Sequence, residues 1–300
     1  MHSDFDVVII GGSYSGLAAA MALGRSLRNV LIIDSGKPCN RFTPHSHNFI
    51  PHDGEVPLVI SAKAKAQVLA YPTVQFEDGI VTKADKTAQG FTATTAVGDT
   101  YTCKKILIAT GVKDILPDIK GLAACWGISA IHCPYCHGYE YRHEATGILA
   151  NGDAAYHYAM LVHNLTDSLS IFTNDPHNFT ADQQDKLAKN NISFFETKVH
   201  AVNHKGGYIK NVILGDGTTH KLSALYVRPA NTQQITIQQT LGYQINEMGY
   251  IVADTMQKTT VGGIYAAGDC CSPMRAVSNA VAQGNMAGAA INMELCAEQF

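Results

Sequence analysis

The chain is 300 residues long, 46% apolar and 16% charged, with a formal net charge of −3. That length exceeds what one hydrophobic core usually holds and predicts two domains, while the near-neutral balance gives no footprint of a polyanionic partner. No apolar run approaches the ~18 residues of a membrane span, and the opening Met1-His2-Ser3-Asp4 lacks the make-up of a signal peptide, so a cytoplasmic protein with no nucleic-acid or membrane partner is expected.

A short apolar run at 6–10 reads as a buried parallel strand. Gly11-Gly12-Ser13-Tyr14-Ser15-Gly16 follows at once, then an alanine-rich stretch of helical spacing at 17–27, then a strand at 29–34 that ends on Asp34. Strand, glycine turn, helix, strand and acid in that order are the dinucleotide-binding fingerprint in its full context. The turn lets backbone approach a pyrophosphate at the helix N-terminus, where the dipole favours negative charge. Asp34 would accept hydrogen bonds from a ribose. Ser13 stands where the middle glycine of the pattern would be, and is small enough to keep that approach open.

Residues 35–55 read as a loop too long for a simple connector, and so as a cover over a ligand. Its histidines, His45, His47 and His52, have no carboxylate pattern beside them; they read as a polar lid, and no metal site is expected. A helix is predicted at 57–71, between Pro57 and Pro72. Strands follow at 74–77, 79–83, 90–95 and 101–110, the last running into Ala109-Thr110-Gly111, where backbone can come close to a bound nucleotide. Residues 121–127 look like a linker.

His132-Cys133-Pro134-Tyr135-Cys136-His137-Gly138 comes next. Two cysteines separated by two residues can open and close a disulfide, exchanging electrons with another dithiol or with a cofactor. The other six cysteines read as free thiols. Residues 145–155 repeat the strand-turn-helix pattern, with Ala150 in place of the first glycine and Gly152 and Ala155 in the other two places. An alanine at a turn that needs positive φ would cost about 1 kcal/mol or more. After the strand at 169–173, Asn174 and Asp175 suit a ribose hydroxyl, and no Arg or Lys meets a 2′-phosphate, which favours NADH over NADPH if either binds. A polar helix and strands around a Gly215-Asp216-Gly217 hairpin turn complete this domain. The strand before Gly268-Asp269 would aim its aspartate at a ribityl or pyrophosphate group. A long helix at 276–295 carries small residues at Ala280, Gly284, Gly288 and Ala289 for close packing.

Assembled, these residues resemble the low-molecular-weight thioredoxin reductase family of FAD-dependent pyridine nucleotide-disulfide oxidoreductases, over nearly the whole chain. The resemblance implies an α/β fold of two Rossmann-like domains, the second inserted in the first: 1–117 with 226–300 for FAD, and 118–225 for NAD(P) and the dithiol. It implies a homodimer, and a domain rotation that alternately exposes the dithiol to flavin and to substrate. By it Gly11, Gly12, Ser13, Ser15, Gly16, Asp34, Arg41, Asn48, Val81, Ala109, Gly268, Asp269 and Val277 become FAD candidates, with Ser35, Thr110, Gly111, Arg275 and Ala276 beside them. Asn151, Gly152, Asp153 and Ala154 become NAD(P) candidates. Cys136 would lie nearer the flavin, Cys133 would form the mixed disulfide, and His137 would serve proton transfer. The expected enzyme passes electrons between FAD, the Cys133–Cys136 pair and a thioredoxin-like protein or small-molecule disulfide, with NADPH or NADH as possible donor.

The family's reductases usually carry an aspartate after the second cysteine; here it is His137, able to move protons near neutral pH. Cys-x-x-Cys-His resembles the gliotoxin-type dithiol oxidases, which form disulfides in small sulfur metabolites. Some relatives that lack an intact NAD(P) turn use ferredoxin or oxygen. An oxygen-using dithiol oxidase, a nicotinamide-independent flavoprotein and a non-catalytic flavin sensor therefore stand as alternatives. Haem attachment also fits Cys-x-x-Cys-His but needs export, and adjacent His and Cys residues converge poorly on zinc; neither explains the nucleotide fingerprints.

Overall fold

Val7-Val8-Ile9-Ile10 is buried without interruption because the strand it builds, β1 (Asp4–Ile10), is covered on both faces. Val7 and Ile9 enter one core with Leu17, Leu23, Leu107 and Ile291. Val8 and Ile10 enter another with Phe91, Ile106, Ile108 and Tyr243. The structure, a computed structural model, describes residues 4–300; the reading of the first three residues as no part of a signal peptide lies outside them.

In chain order β1 is followed by α1 (Tyr14–Arg25), β2 (Val30–Asp34), α2 (Pro57–Leu69), β3 (Val74–Asp78), β4 (Val81–Thr87), β5 (Gly90–Thr95), β6 (Thr100–Ile108) and β7 (Val112–Ile115). Next come α3 (Leu122–Cys125), β8 (Ala130–Ile131), α4 (Pro134–His137), a 3-10 turn at Tyr139–Tyr141, β9 (Thr146–Leu149), α5 (Gly152–Val162), β10 (Leu169–Phe172), α6 (Ala181–Lys189) and β11 (Ser193–Phe195). The chain continues through β12 (Val199–Lys205), β13 (Tyr208–Leu214), β14 (Thr219–Lys221), β15 (Ala224–Val227), β16 (Ala230–Gln233), α7 (Gln238–Leu241), β17 (Ile264–Ala266) and α8 (Val277–Gln299). Two compact units result. One contains the N-terminal segment as far as Arg41, with Asn48–Lys113 and Asn231–Phe300; the other contains Phe42–His47 and Asp114–Ala230.

In the first unit β3, β2, β1 and β6 lie side by side and parallel. The start of β6 pairs antiparallel with β5, which pairs with β4; its end pairs parallel with β17. Helices α1 and α8 pack closely on one another. A Cβ on Gly284 would lie 2.1 Å from the Ser15 carbonyl oxygen, and one on Gly288 would lie 2.7 Å from that of Ala19. Of the small residues expected at this contact, Ala280, Gly284 and Gly288 are buried, but Ala289 faces solvent. The helical period gives its place to Ala287 and Ala290.

The second unit has a five-stranded parallel sheet, β11-β10-β9-β15-β8, and an antiparallel β12-β13-β14 sheet with Gly215-Asp216-Gly217 turning between β13 and β14. Residues 121–127, which read as a linker, contain α3, whose Leu122 and Cys125 are fully buried in the core with Phe172, Val212 and Leu225. Their spacing of three puts them on one helical face. Both units are thus α/β and Rossmann-like, with parallel strands between helices. No helix among the described residues is long and apolar enough to cross a membrane.

Candidate active site

In the first unit the chain leaves β1 and turns through Gly11, whose φ of +108° only glycine adopts without strain. A Cβ there would lie 2.3 Å from the Ala109 carbonyl oxygen at the end of β6, and one on Gly16 would lie 1.9 Å from the carbonyl oxygen of Gly11. Backbone therefore lies directly on backbone, with Ser13 as the N-cap of α1. The Asp34 carboxylate closes this turn from the end of β2, accepting from Gly12 N at 2.8 Å and from Gly36 N at 2.9 Å. Gly268 meets the same place from the end of β17: a Cβ on it would lie 2.6 Å from Ser15 Oγ.

Around this turn Asp269 forms an ion pair with Arg275 Nε at 3.5 Å, and Ala276 and Val277 begin α8. Thr110 and Gly111 follow β6, and Val81 is buried at the start of β4. Ser35, Arg41 and Asn48 lie in the loop after β2, where Arg41 Nη1 donates to the Pro38 carbonyl and Asn48 N to Asp53 Oδ1. Gln283 belongs to the site although the sequence does not point to it: its Oε1 accepts from Gly268 N at 2.8 Å. Its signal is a long polar side chain next to the small residues of α8.

A glycine-lined turn at the C-terminal ends of parallel strands, faced by a helix N-terminus and a carboxylate, fits FAD. The turn would lie against the pyrophosphate and Asp34 would take the ribose hydroxyls.

In the second unit α4 carries the dithiol. Cys133 is its extended N-cap, and Pro134 at the first helical position has its φ preset. Cys133 and Cys136 form a disulfide with Cα atoms 5.3 Å apart, and Cys133 Sγ accepts from Cys136 N at 3.2 Å. Cys39, Cys103, Cys125, Cys270, Cys271 and Cys296 are free thiols. Gly138 ends the turn in contact with β15: a Cβ there would lie 2.7 Å from the Tyr226 hydroxyl and 2.5 Å from Leu165 Cδ1. Tyr158 of α5 donates to the His132 carbonyl at 2.8 Å. His137 is pushed down to about 4, by burial first and then by the like charge of His47. It is therefore a neutral imidazole near pH 7, with one ring nitrogen unprotonated.

The second glycine turn leads from β9 into α5. Gly152, not Ala150, takes the positive φ (+55°), so the strain expected at Ala150 does not arise. Asn151 is the N-cap. Its Oδ1 accepts from Gly152 N at 2.7 Å and from Asn178 N at 2.9 Å, and its Nδ2 donates to the Pro176 carbonyl at 3.0 Å. Asp153 Oδ1 accepts from Gln183 Nε2 at 2.8 Å. Ala154 follows in the first turn of α5. After β10, Asn174 Oδ1 accepts from Val199 N, and Asp175 pairs with Lys198 at 3.7 Å. The helix start and Gly152 have the form a dinucleotide needs. A pyrophosphate reaches the first N–H of α5 only where the Asn151 amide gives way.

The model of the family described as pyridine nucleotide-disulphide oxidoreductase matches residues 5–284. A protein named thioredoxin reductase aclD, from Aspergillus oryzae, is 32% identical over 307 residues, covering 98% of each chain. A crystal structure of an oxidoreductase from Agrobacterium tumefaciens superposes with a TM-score of 0.93 at 37% identity, covering 98% of this chain and 99% of that one. A structure of a putative thioredoxin reductase TrxB from Bacillus anthracis also has a TM-score of 0.93, at 29% identity over 99% of this chain and all of that one. The chain belongs to the pyridine nucleotide-disulphide oxidoreductase family: it is a thioredoxin reductase-like, FAD-dependent enzyme of disulfide chemistry, and FAD and NADPH are the cofactors that membership implies.

Proposed function

We propose that Cys133 and Cys136 are the redox pair of this enzyme, that His137 moves the accompanying proton, and that the substrate is a thioredoxin-like protein or a small-molecule disulfide. The observation that carries this is the Cys133–Cys136 disulfide on α4 with a half-buried neutral imidazole next to it. Bound FAD supplies the two-electron exchange with this pair. Residues 1–117 with 226–300 form its domain, and Gly11, Gly12, Ser13, Ser15, Gly16, Asp34, Ala109, Gly268 and Asp269 hold it. The inserted stretch 118–225 carries the dithiol and the nicotinamide turn. The working form is a homodimer in a reducing, cytoplasmic compartment, a reading supported by free thiols outside the pair.

In the reducing direction the Cys133 thiolate attacks one sulfur of the substrate disulfide and displaces the other as a thiolate. Cys136 then attacks the mixed disulfide, releasing the second substrate sulfur and reforming Cys133–Cys136. Two electrons leave the pair and two protons reach the substrate. The Cys136 N–H that donates to Cys133 Sγ favours that thiolate once the disulfide has opened. His137, neutral near pH 7 and next in sequence to Cys136, is the group through which the Cys136 proton passes on to solvent as the second attack proceeds; with a value of about 4 it relays that proton and does not keep it.

A second reading runs the same exchange backwards, from a substrate dithiol to Cys133–Cys136 and on to oxygen. The Asn151 latch favours it, because the nicotinamide turn is closed by protein groups. An anaerobic titration of the FAD-loaded protein with NADPH, NADH and a small dithiol in turn, read as flavin bleaching, tests both. Bleaching by a nicotinamide is the outcome for the reductase. Bleaching by the dithiol alone, reversed by air, is the outcome for the oxidase. A flavin that bleaches with none of these, nor with ferredoxin, refutes the catalytic reading and leaves a flavin-binding sensor.

A further inference from the structure

The second glycine turn lies against the loop that follows β10. The Asn151 side chain donates to the Pro176 carbonyl at 3.0 Å and accepts from Asn178 N at 2.9 Å. In this fold the residues after the second strand meet the nucleotide's ribose, an acid taking its 2′-hydroxyl and a cation its 2′-phosphate. Asp34 holds that place in the first unit. In the second it falls to Thr173, Asn174 and Asp175. Thr173 is buried, and its hydroxyl donates to the Asp175 carbonyl at 2.7 Å. Asn174, with a φ of +62°, accepts from Val199 N at 2.8 Å. That bond carries the chain between β11 and β12 onto the end of β10. Lys198 comes with it: its Nζ lies 3.7 Å from Asp175 Oδ1, and its carbonyl accepts from Gly215 N at 2.8 Å. The loop after β10 has no Arg or Lys of its own, yet the fold brings a cation to it. Glu196 stands on the same loop, its Oε1 accepting from His177 N at 2.8 Å. Two carboxylates thus face one ammonium group.

We propose that Asp175 and Lys198 decide which nicotinamide dinucleotide the second unit takes: Asp175 withholds Lys198 from a 2′-phosphate, and the site selects NADH over NADPH. The proposal rests on the reading of this turn as the nicotinamide site. The sequence favours NADH because a cation is missing; the structure gives a different reason, a cation that is present and held. The pair is exposed, 67% at Asp175 and 75% at Lys198, so it is weak and opens at little cost. A 2′-phosphate draws Lys198 across, but then meets the Asp175 and Glu196 carboxylates with no cation left between. A ribose diol meets no such repulsion, and a carboxylate accepts from its hydroxyls. The selection is made by the group that repels the wrong nucleotide as much as by the one that binds the right one. Asp175→Asn removes the repulsion and releases Lys198 in a single change.

The test is calorimetric titration of the full-length, FAD-loaded protein with NADH and with NADPH. The parent protein should bind NADH about tenfold more tightly. In Asp175→Asn the NADPH affinity should rise about tenfold while that for NADH does not rise. The gain should shrink as salt is raised, because it comes from exposed charges. It should vanish in the double variant Asp175→Asn, Lys198→Met, which shows that Lys198 provides it. A parent protein that binds NADPH as tightly as NADH overturns the proposal. So does an unchanged preference in Asp175→Asn, or a gain that survives the loss of Lys198. Where the Asn151 side chain keeps both nucleotides out of the parent, the same series is run in Asn151→Gly. Binding of neither nucleotide there refutes the nicotinamide reading of the turn, and the proposal with it. Binding of both with no preference refutes the proposal alone.

Discussion

Asn151 and Asn178 are joined across the second glycine turn: the Asn151 side-chain oxygen accepts from the Asn178 N–H at 2.9 Å while also capping Gly152 N at 2.7 Å. The groups that would receive a dinucleotide's phosphate are thereby engaged by the protein itself. Opening this latch costs about 1 to 2 kcal/mol, the net value of one or two hydrogen bonds. Asn151→Gly should therefore tighten NADPH and NADH binding about tenfold. Calorimetric titration of the FAD-loaded protein checks this, and an unchanged Kd would show that the amide does not compete with the nucleotide.

Either Cys133→Ser or Cys136→Ser should reduce disulfide turnover to background while FAD stays bound, because each removes one sulfur from a two-sulfur exchange. Stopped-flow turnover alongside the flavin absorbance separates the two effects. Retained turnover in both single variants would exclude the pair as the relay.

His137 ties stability to pH. Its folded value of about 4 lies below the ordinary 6.5, so between these limits the unfolded chain binds a proton that the folded one refuses. Stability is full above 6.5 and is lost as pH falls toward 4, by on the order of 3 kcal/mol at most. Urea unfolding at pH 7 and pH 4.5 should show a smaller acid loss in His137→Gln than in the parent protein.

Much of this was readable in the chain and some was not. The apolar strand, glycine turn and Asp34 form a local pattern, and the contact of Gly12 N with the Asp34 carboxylate is what that pattern describes. The dithiol motif is equally local. The docking of residues 42–47 on the second unit is not, because a long loop has no periodicity to say which core it serves. Nor is the Asn151 latch, which depends on backbone groups of residues 176 and 178 that carry no side-chain signature. Lys105 is the clearest case: a lysine inside an apolar strand that proves to be buried between Glu294 and Glu298 of the last helix.

That cluster sets a stability order. Burial pushes the Glu294 carboxyl up, but hydrogen bonds from Lys105, Lys258 and Tyr265 outweigh it and hold the group at about 2. Removing this charge leaves Lys105, only 7% exposed, with Glu298 alone. Glu294→Gln should destabilise by about 2 to 4 kcal/mol. Glu298→Gln, at a half-exposed position, should cost about 1 kcal/mol or less. Thermal unfolding of the two variants side by side gives the comparison.

Gly284→Ala should weaken FAD retention as well as stability. The new methyl group has no space against the Ser15 carbonyl, so α1 must shift, and α1 carries the glycine turn at its start. Overpacking of this kind costs about 1 to 3 kcal/mol, and the fraction of flavin retained after gel filtration reports the effect on the turn.

The pairing of α1 with α8 also orders the birth of the molecule on the ribosome. The dithiol unit's main segment, Asp114–Ala230, is contiguous and can close its parallel sheet as soon as it emerges. The first unit begins earlier but waits for β17 and α8, which are made after the whole of that segment, before its central sheet and first helix are covered. Until then the apolar faces of β1, β6 and α1 stay open to solvent, and with them the surface most prone to aggregate. A nascent chain stalled before α8 should therefore hold a folded dithiol unit while its flavin unit is unfinished, and flavin capture should follow the folding of the dithiol unit.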